Sequence, residues 1–188
     1  MNDRDVAFLR GINVGGKNIV PMKELVALFV EAGCTEVATY IQSGNVVFRA
    51  RPGALKSLPA KLEGAVRARF GLTVPVVVRT GAELRRAMTE NPFLAREDPA
   101  HLHVAFLAHV PTAARVAAVD EKRSPGDRFA VVGKDLFLCL PNGVGKTKLT
   151  NAYLDRALGT TSTVRNWRTV GKLVELSSGA SPSTAASR

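Results

Sequence analysis

The chain has 188 residues, 46% of them apolar, enough to bury the core of one ordinary domain or two small ones. Its formal net charge of +10 is spread along the chain: residues 1–100 hold 14 Lys/Arg against 10 Asp/Glu, and residues 101–188 hold 12 against 6. That balance favours a phosphate-bearing small molecule or nucleic acid as partner, and two cysteines without a CxxC motif argue against a disulfide framework or cysteine zinc site and for the cytoplasm.

No window approaches the roughly 18 apolar residues of a membrane span. The N-terminus "MNDRDVAFLRG" lacks a basic stretch ahead of a long apolar run, so no membrane partner is expected.

"VAFLR" (6–10) reads as a buried strand stopped by the glycine-rich "GINVGGKN". "PMKELVALFVEAG" follows as a helix, with Pro21 at its start, Met22, Leu25, Val26 and Phe29 on one face, and Gly33 at its end. "EVATYIQSGNVVFRA" predicts two strands joined by a two-residue turn at Ser43 and Gly44. Residues 59–70 carry Leu62, Val66 and Phe70 at helical spacing, and "TVPVVVR" (73–79) closes a βαββαβ unit. Thr80 and Glu83 make a capping-box pattern for a short helix.

The two prolines of "NPFLAREDPAH" mark a linker over 92–100, dividing an N-terminal unit (1–91) from a C-terminal one (101–177). Beyond it the order repeats: strand "HLHVAFLAH", helix "TAARVAAVDEK", a "SPGD" break, and strands "RFAVVG" and "LFLCL" around a turn at Gly133. Helix "TKLTNAYLDRALG", strand "TSTVR" and a final helix over 167–176 complete it. "VAFL" opens both halves, at 6–9 and 104–107. The fold class expected is α+β: two ferredoxin-like βαββαβ subdomains in tandem plus a C-terminal helix. Residues 178–188 contain no large apolar side chain and are expected to be a disordered tail.

In that topology the first strand's exit loop and the central hairpin share one end of the sheet. Arg10, Asn13, Gly15, Gly16, Lys17, Asn18, Gln42, Ser43 and Asn45 would then gather donors and exposed amides where an anion could sit. Competing with this is a plain turn, in which Gly, Asn and Ser serve the backbone. A second candidate anion loop holds Gly145, Lys146, Thr147 and Lys148 in "LPNGVGKTKLT". It is not a nucleotide-binding P-loop, because Leu140 stands where the pattern needs glycine, and Thr147 reads first as a helix cap.

His101 and His103 alternate along a strand without a third ligand, so no metal is expected, and Cys139 reads as core. Asn166 reads as a helix cap, and Trp167 as a core anchor ahead of a base-stacking role. No carboxylate pair, G-x-S-x-G elbow or His-paired nucleophile occurs, and no cofactor is implied.

The motifs "LRGINVGGKN", "YIQSGNVVF", "NPF", "HVAFL", "GVGKTKLTNA" and "RNWRTVGKL", in that order over about residues 6–176, resemble the bacterial domain-of-unknown-function family 1697 (DUF1697). The resemblance implies two α+β subdomains related to the ferredoxin type and carries no catalytic residues. The chain departs from it at Lys146 and Thr147, where members more often have Arg and Ser. Two functions stay open: a non-catalytic binding module for a phosphate-bearing ligand or nucleic acid, and an enzyme acting on a small molecule in the groove between the two halves.

Overall fold

A computed structural model describes residues 3–179. The tail expected over 178–188 therefore lies outside the described residues except for Ser178 and Gly179.

The chain runs β1 (Asp5–Leu9), α1 (Met22–Glu31), β2 (Thr35–Tyr40), β3 (Asn45–Arg49), α2 (Leu58–Phe70), β4 (Val76–Arg79), α3 (Gly81–Thr89), β5 (Leu102–Leu107), α4 (Ala113–Ala117), β6 (Arg128–Val132), β7 (Asp135–Cys139), α5 (Asn151–Leu158), β8 (Ser162–Asn166) and α6 (Trp167–Ser177). Among the described residues these form two four-stranded sheets, ordered β2-β3-β1-β4 and β6-β7-β5-β8, with every paired neighbour antiparallel. The repeated "VAFL" takes the same place in each: Val6 lies opposite Val47 and Arg79, and Val104 opposite Phe137 and Arg165.

In the first unit, α1 and α2 cover one sheet face, bringing Leu25, Phe29, Leu62 and Val66 onto Ala7, Leu9, Val46 and Phe48. Phe29 and Phe48 meet at 5.2 Å between ring centroids, a tilted pairing that aromatic rings favour. The opposite face, with Val6, Phe8, Val47 and Val77, is also fully buried. Burial on both faces is why "VAFL" and "VVV" read as continuous apolar runs rather than alternating ones. In the second unit Ala105, Leu107, Leu136 and Leu138 pack with Leu154 and Leu158 of α5.

Several local expectations change. The β2–β3 connection spans residues 41–44, because Tyr40 pairs with Asn45 and both Ile41 and Gly44 take positive φ. The helix expected over 112–122 shortens to α4, and the later one starts at Asn151, where the Thr150 hydroxyl accepts the Tyr153 amide. Thr147 is thus not the cap; its Oγ1 accepts from the Leu149 amide.

The unit boundaries also move. The first compact unit comprises the described residues up to Arg85 together with those from Lys172 onward, and the second spans Arg86–Gly171. Residues 92–100 fall within the second compact unit and are tied to it at two points, Glu97 pairing with Arg128 at 2.7 Å and Arg128 lying over the Phe93 ring at 5.7 Å, while their other members are exposed. The division falls inside α3 and α6 instead. The end of α6 joins the first unit because the Arg4 amide donates to the Ser177 carbonyl at 2.9 Å and the Arg4 guanidinium to that of Leu176.

Candidate functional site

The end of the first sheet where β1 leaves it is built from two loops that touch. Leu9 donates its amide to the Gly44 carbonyl at 2.8 Å, and a Cβ placed on Gly44 would meet Leu9 O at 2.6 Å, Leu9 Cβ at 2.9 Å and Ile12 Cγ1 at 3.1 Å. Glycine is required there by space as well as by its φ of 74°. The expected juxtaposition of residues 10–18 with 42–45 is therefore present.

Within the first loop the Gly and Asn content is turn chemistry. Gly11, Asn13, Gly15, Gly16 and Asn18 all take positive φ, the conformation that Gly and Asn tolerate best. Gly15 and Gly16 form a two-residue turn between Val14 and Lys17, which bridge each other, and positive φ at both central positions is what a type I′ turn needs.

The side chain of Asn13 holds Val20 at both ends, donating to its carbonyl at 3.0 Å and accepting its amide at 2.8 Å. Asn18 Nδ2 donates to the Gly11 carbonyl at 2.9 Å. In the second loop buried Asn45 donates to Ser43 Oγ at 2.8 Å. Asn13, Asn18, Ser43 and Asn45 thus build the loops. Lys17, Gln42, Gly15 and Gly16 are exposed, Arg10 is half-buried, and a Cβ placed on either glycine would meet nothing within 4 Å. No Asp or Glu occurs in residues 6–23 or 37–48, so the loops add no negative charge here. Glu24, the first carboxylate after the loop, is paired with Arg69 at 3.3 Å.

In the other candidate loop Gly145, Lys146 and Lys148 are exposed and Thr147 is half-buried. Three residues lie between Thr147 and the first residue of α5, and Thr150 takes the cap, so the loop does not sit on that helix's N-terminus. It is anchored to the "SPGD" segment, where buried Ser124 donates to Asp127 at 2.6 Å and accepts the Lys148 amide at 3.0 Å.

His103 is buried with its Nδ1 3.1 Å from the His101 carbonyl, and burial holds its pKa below the usual imidazole value. No group of three metal-ligating side chains occurs among the described residues. Cys139 is buried between Glu97 and Arg128, and desolvation first, then the Glu97 charge, raises its thiol pKa, the reverse of nucleophile activation. Trp167 is 7% exposed and belongs to the core. Asn166 caps α6, accepting the Thr169 amide at 2.8 Å.

Residue-by-residue reading missed one pair. Arg79 and Arg165 occupy matching positions on β4 and β8, Arg79 almost wholly buried and Arg165 desolvated enough to lower its pKa to about 10. Arg165 donates to Thr163 Oγ1 and the Val164 carbonyl, both at 2.8 Å. Aligning the halves on "VAFL" would have exposed the pair, since both strands lie antiparallel to that motif with the Arg opposite its valine, Val6 or Val104.

The fold defines a mixed α+β protein with two four-stranded antiparallel sheets and six α-helices among the described residues. Residues 2–137 match the family model described as "Protein of unknown function (DUF1697)", and the chain belongs to that family. A solved structure, the conserved bacterial protein SP0830 from Streptococcus pneumoniae, is similar over 94% of this chain and 99% of its own, at 24% identity and a TM-score of 0.71, a likeness of fold. No curated protein matches the chain. No helix among the described residues is long and apolar enough to cross a membrane.

Proposed function

We propose that this protein is a non-catalytic binding module that holds a phosphate-bearing ligand at the β1 end of its first sheet. Arg10, Lys17, Gln42 and the amides of Gly15 and Gly16 face the ligand, while Asn13, Ser43 and Asn45 hold the two loops in shape. The observation that carries the reading is a carboxylate-free loop pair in which Asn13 and Asn45 are spent on its own architecture while Lys17, Gln42, Gly15 and Gly16 are exposed. Backbone amides and cations together are what phosphate oxygens seek. The loop at Lys146 and Lys148 contributes charge alone.

The order β2-β3-β1-β4, repeated as β6-β7-β5-β8, supports reading the halves as a tandem of ferredoxin-like units. Two buried free thiols suit a cytoplasmic setting.

The test is a titration with inorganic polyphosphate at low salt. Lys17→Ala and Arg10→Ala are expected to weaken binding, and Lys122→Ala, at an exposed site remote in sequence from both loops, is not. Equal affinity for all three variants and the parent chain would remove the site.

A further inference from the structure

The same loops expose three aliphatic side chains, Val14 at 62%, Ile19 at 58% and Ile41 at 54%. Ile41 also sits at φ 50°, a left-handed conformation that a β-branched residue adopts only under constraint. Stability alone would place Asn or Gly there and a polar residue at each exposed position. The chain instead keeps aliphatic groups in the same two loops as Lys17, Arg10 and Gln42.

The surface is also open. Residues 14–19 are all exposed, and a Cβ built at Gly15 or Gly16 meets nothing within 4 Å. A small phosphate ester needs donors that converge around it, whereas a polymer of phosphates needs only cations that its successive charges can reach. We infer that the ligand of this site is a single-stranded nucleic acid, its phosphates against Lys17 and Arg10 and its bases packed on Val14, Ile19 and Ile41. This rests on the phosphate-binding reading above and adds the class of ligand.

Unpaired bases present apolar faces that gain by leaving water, and a basic surface bearing apolar platforms recognises them without reading sequence. The charge is complementary, because residues 6–23 and 37–48 carry no acid that would repel the backbone. Insertion into a lipid surface scales with buried apolar area, and here Lys17, Asn18, Gln42 and Ser43 lie between or beside the three aliphatic residues in the chain, which favours the nucleic acid.

The experiment is fluorescence polarisation of the full chain with a labelled single-stranded oligonucleotide of about 12 nucleotides, alongside inorganic polyphosphate and vesicles of phosphatidylserine and phosphatidylcholine. The Ile19→Ser, Ile41→Asn double variant is expected to lose about tenfold in oligonucleotide affinity while its polyphosphate affinity is unchanged. Lys17→Ala weakens both, and oligonucleotide affinity falls linearly on a log–log plot as salt rises. Circular dichroism confirms that each variant folds, and Val14→Ser, in an exposed bridge position, repeats the test if the double variant does not. Oligonucleotide binding indifferent to the apolar substitutions overturns the inference, as does binding to vesicles without binding to oligonucleotide. Lys17-dependent polyphosphate binding with no preference for the oligonucleotide overturns it too but leaves the phosphate site standing. Absence of binding to every probe overturns both.

Discussion

Replacing Gly44 by alanine sets two costs against each other that a second glycine can separate. At φ 74° an L-residue pays about 1–2 kcal/mol that glycine does not. The new Cβ would also lie 2.6 Å from the Leu9 carbonyl oxygen and 2.9 Å from Leu9 Cβ, atoms at the end of a central strand that cannot swing aside. Relieving such overpacking costs about 1–3 kcal/mol more. Gly15 supplies the control: its φ is 56°, and a Cβ there meets nothing within 4 Å, so Gly15→Ala carries only the conformational part. Urea denaturation should therefore show Gly44→Ala less stable than the parent by about 2–5 kcal/mol and less stable than Gly15→Ala by about 1–3 kcal/mol. Far-UV circular dichroism is the suitable signal, because the single tryptophan, Trp167, lies in the second unit and would report on the wrong sheet. Losses for the two variants that agree within about 0.5 kcal/mol would refute the claim that the two loops are wedged together at Gly44.

Ile41→Asn should raise the urea midpoint, by an increment worth about 1 kcal/mol, since Asn tolerates the φ of 50° and the isoleucine is half exposed already; a lower midpoint would show that Ile41 contributes packing. Thr80→Ala should cost about 1 kcal/mol, because the Thr80 hydroxyl accepts the Glu83 amide at 3.1 Å while the Thr80 amide donates to the Glu83 carboxylate at 2.9 Å; unchanged thermal unfolding would deny the box its role. For His103 the folded pKa is lowered by burial, so below the free imidazole value of about 6.5 the unfolded chain binds more protons and stability falls. Comparing urea midpoints at acidic and neutral pH should show a smaller acid loss in His103→Gln than in the parent chain, and equal losses would sink the assignment.

Much of this was legible in the chain because it depends on near neighbours. The apolar runs mark the strands, the Thr80–Glu83 spacing caps α3, Asn166 caps α6, and Gly71 and Gly159 end α2 and α5 in the left-handed conformation. The pairing of residues 10–18 with 42–45 followed from strand order, since the exit of one strand and the turn between two others must share an end once the third lies between them. Other features needed coordinates, because a side chain's role there depends on partners that spacing alone does not reveal. Asn13 looks like a donor for a ligand until Val20 is seen at both ends of its amide, and Thr147 looks like a cap until Thr150 is seen to hold that place. The contacts of the proline-flanked segment are of the same kind: spacing does not reveal that Glu97 meets Arg128 or that Phe93 lies beneath it. Burial of Arg79 is likewise a property of the assembled sheet: local propensity opposes it, and only long-range packing can hold a guanidinium out of water.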